Sequence, residues 1–197
     1  MRRVRIYVEG GGDGALNRAA LRNGFRSFFE RGVARFEIIA CGRRDATFKR
    51  WKAALSSEPE AFNVLLVDSE GSVADGTAPR RHLGDRDGWQ FPSGFDEQVH
   101  MMVQMMESWF LADPRALTEY YRHQFGANAL PVRQNVEEIP KVEVERALKN
   151  ATRKTSKGEY HKIHHGSALL ALIDPKEVRK RTAHCERLLT SLASAQT

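Results

Sequence analysis

The sequence predicts a layered α/β domain built on a mostly parallel β-sheet, with a helical extension after it. Three observations carry this reading. Apolar runs end at glycine-bearing turns in Val8-Glu9-Gly10 and Val67-Asp68-Ser69-Glu70-Gly71, and segments of helical period separate them. The run 63–68 is apolar through its middle, as a strand buried on both faces is. Strands alternating with amphipathic helices imply right-handed crossovers and a sheet covered by helices.

Residues 3–8 alternate apolar and basic before an apolar end and form the first strand. Asp13 is placed to cap a helix running to about 31, with Leu16, Ala19, Ala20 and Phe28 on one face. A second strand is expected over 35–40, a helix over 45–56 ended by Ser57-Glu58-Pro59, and the third strand over 63–68. From 71 to 94 the pattern dissolves into glycines, Pro79, Pro92 and the run Arg80-Arg81-His82. Together with the residues to 98, this is expected to be a long irregular lid beside the site. A fourth strand is expected over 100–106, then a helix over 114–125 with Pro114 in its first turn. The α/β domain thus covers 1–125, a linker holding Pro131 and Pro140 covers 126–140, and a basic helical extension covers 141–197. Helices are expected there over 142–151, 168–173 and 176–193.

Composition narrows the class. No apolar run approaches the roughly 18 residues that span a bilayer, and Met1–Arg5 leads directly into a strand without a cleavable apolar segment. Cys41 and Cys185 lie far apart without a CxxC partner, which argues against a disulfide framework. A cytoplasmic protein without membrane association is expected. The net charge of +6 is uneven: residues 1–140 carry 19 basic and 19 acidic side chains, and 141–197 carry 12 and 6. That asymmetry points to a surface facing DNA or RNA, with Arg153, Lys154 and Lys157, and Arg80 and Arg81 in the lid, as candidate contacts; a solvated helix face is the plainer alternative.

If the first and third strands are neighbours, Glu9, Asp68 and Glu70 meet at their carboxyl ends, where open α/β sheets bind ligands. Crowded carboxylates repel one another unless some are protonated or a cation lies between them. Oxygen donors with little His or Cys nearby favour Mg²⁺ or Mn²⁺. Asp68 and Glu70, two apart, face one side while the chain stays extended. Asp13 is placed to join directly or through water, and Glu107 joins if the fourth strand borders the third. Gly10-Gly11-Gly12-Asp13-Gly14 lacks the Gly-Lys-Ser/Thr of a nucleotide loop, and its acid disfavours a bare phosphate, so neither ATP nor NAD is expected there. Met101, Met102, Met105 and Met106 read as core packing. Lys162, among His161, His164 and His165, is placed to steady charge on a scissile phosphate, though a plain basic turn or a zinc site has the same residues.

A strand ending Val-Glu-Gly and a later one ending Val-Asp-x-acid resemble the TOPRIM domain of topoisomerases, bacterial primases and overcoming-lysogenization-defect nucleases. Tyr7-Val8-Glu9-Gly10, Leu66-Val67-Asp68-Ser69-Glu70-Gly71 and Glu107-Ser108-Trp109-Phe110-Leu111-Ala112-Asp113 resemble more closely a small bacterial TOPRIM-like family. Its members are often encoded beside an ABC-type ATPase in phage-defence operons. The resemblance covers about 3–115 and extends loosely to Tyr160-His161-Lys162. It implies a TOPRIM/Rossmann-like fold, a Mg²⁺-dependent nuclease (a phosphodiester hydrolase) with Glu9, Asp68 and Glu70 matching the acidic catalytic motifs, and an ATPase partner; Lys162 is the further catalytic candidate, from its own charge. The usual second motif is Asp-x-Asp; here it is Asp-x-Glu. Two rivals accompany the nuclease: a non-catalytic interaction subunit of an ATPase complex, and a small-molecule phosphatase or phosphotransferase using the same acids.

Overall fold

The computed structural model describes residues 2–12 and 14–196. The first half alternates strand and helix. It contains β1 (Val4–Val8), α1 (Ala15–Phe29), β2 (Phe36–Ala40), α2 (Arg44–Ser57), β3 (Phe62–Asp68), α3 (Pro79–Asp87) and β4 (Val99–Met102). Helices follow: α4 (Glu107–Ala112), α5 (Pro114–Tyr121), α6 (Lys141–Thr152), α7 (Lys162–Leu172), α8 (Pro175–Arg181) and α9 (Ala183–Ser194). The strands form one parallel sheet in the order β2-β1-β3-β4. This is the α/β, Rossmann-like arrangement the sequence predicts.

The order has one functional consequence. From β1 the chain steps to β2 on one side and then back past β1 to β3 on the other. The crevice between the carboxyl ends of β1 and β3 is therefore a topological switch point, the place where such sheets leave room for a ligand.

The two-residue period of the strands divides the core into two layers. Ile6, Val8, Val64 and Leu66 face a cluster containing Phe25, Phe28, Trp109, Leu148, Leu169 and Leu188, so α1 and the helices after β4 cover that face together. Tyr7, Leu65, Val67 and Met101 face Phe48, Trp51 and Leu83. The free edge of β4 is held by α9. Arg187 donates to the carbonyls of Val99 (2.8 Å) and Asp96 (2.8 Å) and to His100 Nδ1 (3.0 Å).

Several boundaries differ from expectation. The N-cap of α1 is Gly14, one residue past the expected cap, and Asp13 lies outside the described residues. Residues 71–98 are not an unbroken irregular lid. Helix α3 starts at Pro79 and ends at Gly88 in a left-handed conformation (φ 68°). Trp89, Phe91 and Phe95 pack on the second layer, with Phe48 and Trp89 stacked at 4.3 Å. Those aromatics, spaced among glycines, supply the apolar area that a helical-period search of the segment overlooks. The fourth strand is Val99–Met102, and residues 103–106 form an irregular turn into α4, with the Met106 N–H donating to Asp68 Oδ1. The stretch 126–140 is short of regular structure, yet Leu130, Val136 and Ile139 are buried in the first layer, so the core continues across it. Helix α7 starts at Lys162 rather than 168, after the left-handed Gly158 (φ 77°) and the extended His161. The expected helix over 176–193 is two helices, divided at Thr182, whose backbone is extended (φ −144°). Cys41 and Cys185 are buried free thiols. Among the described residues no helix is long and apolar enough to cross a membrane.

Helix α7 is set by a close crossing with α1. A Cβ added at Gly24 would lie 2.6 Å from the Ser167 carbonyl oxygen, and Arg31 donates to the carbonyls of Ala171 (2.7 Å) and Ile173 (2.9 Å). Gly24→Ala sets two effects against each other. Helix propensity favours Ala by up to about 1 kcal/mol, whereas forcing apart packed backbones costs about 1–3 kcal/mol. We expect the urea midpoint of Gly24→Ala to fall below wild type; a rise would contradict the crossing.

Candidate metal centre

Glu9 directly follows β1, and Asp68 is the last residue of β3. The Asp68 backbone N–H donates to Glu9 Oε1 (2.9 Å), which fixes the Glu9 carboxylate across the switch point. Beyond Asp68 the chain stays tied to the segment after β4, because the Ser69 N–H donates to the Met102 carbonyl (2.9 Å) and the Glu70 N–H to that of Gln104 (2.8 Å). Glu70 itself is left-handed (φ 64°), so it does not share the extended geometry expected for Asp-x-Glu. Its carboxylate still converges: one oxygen each from Glu9, Asp68 and Glu70 lie within 4.8 Å of one another.

The glycine run makes room for this group. Gly10, Gly11 and Gly12 all have positive φ, and a Cβ on Gly11 would lie 2.9 Å from the Arg18 Cα. Only a bare backbone passes between the strand end and α1 there. The Gly10 N–H donates to the Gly42 carbonyl (2.8 Å), closing the loop onto the end of β2.

Asp68 Oδ1 accepts from the Met106 N–H (2.8 Å) at the start of α4, and Oδ2 lies 3.6 Å from Lys162 Nζ. Glu107, the first residue of α4, is buried as well. Tyr160 donates its hydroxyl to Glu107 Oε1 (2.9 Å), while Oε2 has no hydrogen bond and lies 3.4 Å from Lys162 Nζ. β4 borders β3, as the expectation for Glu107 required, but its carboxylate stands outside the group that converges within 4.8 Å and instead shares Lys162 with Asp68. Arg44 donates to Glu9 Oε2 (3.1 Å), to the Asp68 carbonyl (2.6 Å) and to Asp87 (2.8 Å). Lys141 is ion-paired with Glu70.

Burial pushes the Glu9 carboxyl above its ordinary value, against the opposing pull of Arg44 and the Asp68 N–H. Burial pushes Asp68 well up; Lys162 opposes this, and the charges of Glu9, Glu107 and Glu70 reinforce it. Burial acts the same way on Glu70, but Lys141 outweighs it and holds that carboxyl below the usual range. Burial depresses the Lys162 ammonium, yet Asp68 and Glu107 overcome it and raise its pKa. Each of the three carboxylates thus has a cation beside it, and burial outweighs that cation at Glu9 and Asp68 but not at Glu70.

Three features fit a divalent cation at this place. The donors are carboxylate oxygens, the set a hard ion takes. Glu107 Oε2 is buried without a hydrogen bond, and the Lys162 ammonium 3.4 Å from it is shared with Asp68, so two buried carboxylates divide one positive charge. The raised Asp68 pKa marks negative charge that the neighbouring lysine leaves partly uncompensated. Glu9, Asp68 and Glu70 are positioned to hold the ion, with Glu107 beside them.

The other sequence candidates lie elsewhere. Arg80 pairs with Asp96 (3.0 Å) and donates to the Phe91 carbonyl (3.2 Å), and Arg81 is exposed with Asp85 at 3.8 Å. Arg153 and Lys154 are exposed after α6, and Lys157 lies over the Tyr120 ring at 4.7 Å. His161 and His164 are exposed with rings 4.6 Å apart, and His165 Nδ1 accepts from the His161 N–H (3.0 Å). The four methionines are buried, and Met102 and Met106 also line the cleft at the carboxylates. Sequence reading missed Arg44 and Lys141. The signal that marks them is positional: each is a cation opening a helix, where the helix dipole disfavours positive charge.

A family model described as a domain of unknown function (DUF4276) matches residues 8–193. No curated protein and no solved structure matches the chain.

Because its folded pKa is raised, Asp68 favours folding in acid and loses that contribution as pH rises through the folded value. Without divalent ions, Asp68→Asn should therefore be more stable than wild type at pH 7, by on the order of 1 kcal/mol. The difference should shrink as pH falls toward the ordinary carboxylate range. Urea titrations in EDTA at both pH values check this; a variant weaker than wild type at pH 7 would show that Asp68 is already fully compensated.

Proposed function

We propose that this chain, which belongs to the DUF4276 family, is a Mg²⁺- or Mn²⁺-dependent nuclease of the TOPRIM type that hydrolyses phosphodiester bonds in DNA or RNA. The observation that carries the reading is the convergence of Glu9, Asp68 and Glu70 within 4.8 Å, with Lys162 against Asp68. The family match carries no activity with it; the chemistry is argued from the site.

In this reading Asp68, Glu70 and Glu9 would hold the ion, and the chemistry it would supply is polarisation of the phosphate and a more acidic attacking water. Glu9 also orients the site, because its carboxylate is fixed between the Asp68 N–H and Arg44. Lys162 stays charged and half-exposed at the lip of the cleft, and there it steadies the negative charge on the departing oxygen. Tyr160 holds Glu107, which with Asp68 anchors the Lys162 ammonium. An ABC-type ATPase partner in a phage-defence system completes the proposal, on the motif resemblance alone.

One observation favours a second reading, a non-catalytic interaction subunit of such an ATPase complex. Arg44 contacts Glu9, Lys141 contacts Glu70 and Lys162 contacts Asp68, so each of the three acids already has a protein cation beside it. Metal titration separates the two. In the nuclease reading Mn²⁺ binds wild type, and Asp68→Ala weakens that binding by at least about tenfold, or roughly 1.4 kcal/mol. Mg²⁺-dependent cleavage of an oligonucleotide is lost in the same variant. Wild type that takes up no ion and cleaves nothing, alone or with its partner, would favour the interaction subunit.

Polyanion binding has a separate signature. Arg153 and Lys154 are exposed, and the residues from 141 onward carry the chain's excess positive charge. Replacing Arg153, Lys154 and Lys157 with Gln should weaken oligonucleotide binding and flatten its salt dependence by up to about three units of slope. An unchanged slope would mean that these charges only solvate the surface.

A further inference from the structure

The carboxylates open into a cleft of about 290 Å³ whose lining is mixed. Gly10, Gly11 and Gly12 bring bare backbone to it. Leu21, Met102, Met106 and Ile163 add apolar surface directly beside the charged groups. Ile163 is notable because it is 54% exposed and immediately follows Lys162 at the start of α7. Attack on a phosphodiester needs charge and a cation, and it does not need an apolar wall. A flat aromatic ring does, and thioether sulfur makes favourable contacts with such rings.

Lys162 also lines a second cavity of about 360 Å³, together with Lys141, Lys149, Tyr160, His161 and the acids Glu107 and Glu145. The two cavities meet at the residue proposed to face the scissile phosphate. One side offers an apolar wall for a base, and the other offers lysines for the phosphates that continue beyond it.

We propose that the cleft seats a single unpaired nucleotide, so that the substrate is a single-stranded segment of nucleic acid running from the apolar-walled cleft past Lys162 into the lysine-lined groove. The inference deepens the nuclease reading and rests on it. A cleft at the small end of the ligand-pocket range has room for about one nucleotide, and a base still paired and stacked in a duplex cannot enter it. Drawing a base out of a duplex costs unstacking energy, which an already unpaired strand does not incur. The second cavity distinguishes a strand from a free nucleotide: Lys141 and Lys162 are paired with Glu70, Asp68 and Glu107, but the half-exposed Lys149, 3.9 Å from the exposed Glu159, is reached by a strand's next phosphate and not by a mononucleotide.

The test measures binding of labelled oligonucleotides of about 12 residues, with Ca²⁺ replacing Mg²⁺ to suppress turnover. Single-stranded DNA, single-stranded RNA and a blunt duplex of the same sequence are compared, with a nucleoside monophosphate as competitor. The single strand should bind at least about tenfold more tightly than the duplex. Ile163→Ser, at an exposed position, should weaken single-strand binding by about tenfold and leave Mn²⁺ affinity unchanged. Lys149→Gln should lower the salt slope by about one unit. A strand with one abasic position should bind wild type more weakly than the intact strand, and lose less in Ile163→Ser. The DNA and RNA arms show which sugar the strand carries.

Equal or tighter duplex binding overturns the proposal. So does a monophosphate that competes at the concentration of the strand itself, or an Ile163→Ser variant that binds like wild type. Mn²⁺ titration of the same samples keeps the two levels apart. Loss of ion binding in wild type strikes the nuclease reading, whereas intact ion binding with duplex preference strikes this inference alone.

Discussion

Like charge gathered at one sheet edge is the constraint on which the rest of the molecule depends. The parallel strands bring Glu9 and Asp68 to adjacent ends, the turn after β3 adds Glu70, and α4 adds Glu107 from the next strand over. Leaving a buried carboxylate uncompensated costs several kcal/mol. The chain answers with helix beginnings: Arg44 opens α2, Lys141 opens α6 and Lys162 opens α7. A cation in that position works against the helix dipole by about 0.3–1 kcal/mol, a smaller penalty than the one it offsets. Three helices from distant parts of the chain therefore start at the same edge: α2 against the sheet, α7 against α1 and α6 against α4.

The division of the core expresses the same geometry. Odd and even residues of β1 and β3 point to opposite layers, so α1 with the helices after β4 cover one face and α2 with α3 cover the other. Arg44 links the second layer to the site. It lies 5.1 Å from the Trp89 ring centre and bridges Asp87 of α3 to Glu9. His82 extends the link, with Nε2 3.0 Å from the Ser69 carbonyl. The segment expected to be a loose lid is thus attached to the backbone between two of the acids.

Much of this was legible in the residues. The strands follow from apolar runs that end in Glu or Asp before glycine, a local pattern, and the meeting of Glu9 with Asp68 and Glu70 was legible on the condition that the first and third strands are neighbours, which the strand order supplies. Lys162 was visible because it lies in an unusual His-rich run. What escaped was non-local. Arg44 and Lys141 look like ordinary surface cations, and only the strand order reveals the carboxylates they face. The left-handed Glu70 was hidden because its backbone is set by bonds to the segment after β4, not by its neighbours in sequence. Helix α3 and the early start of α7 were missed for a related reason. Both are specified by tertiary packing of scattered residues rather than by a sustained apolar period.

The buried stretch 126–140 has a consequence for how the molecule can be divided. Val136 and Ile139 pin it into the first layer, and α6 and α7 lie beyond it. A chain interrupted there would leave Glu9, Asp68, Glu70, Glu107 and Arg44 on one fragment and Lys141 and Lys162 on the other. Neither fragment would hold a balanced centre, and each would expose half of a shared apolar layer. The two would have complementary charge and complementary surface, so each fragment carries what the other lacks.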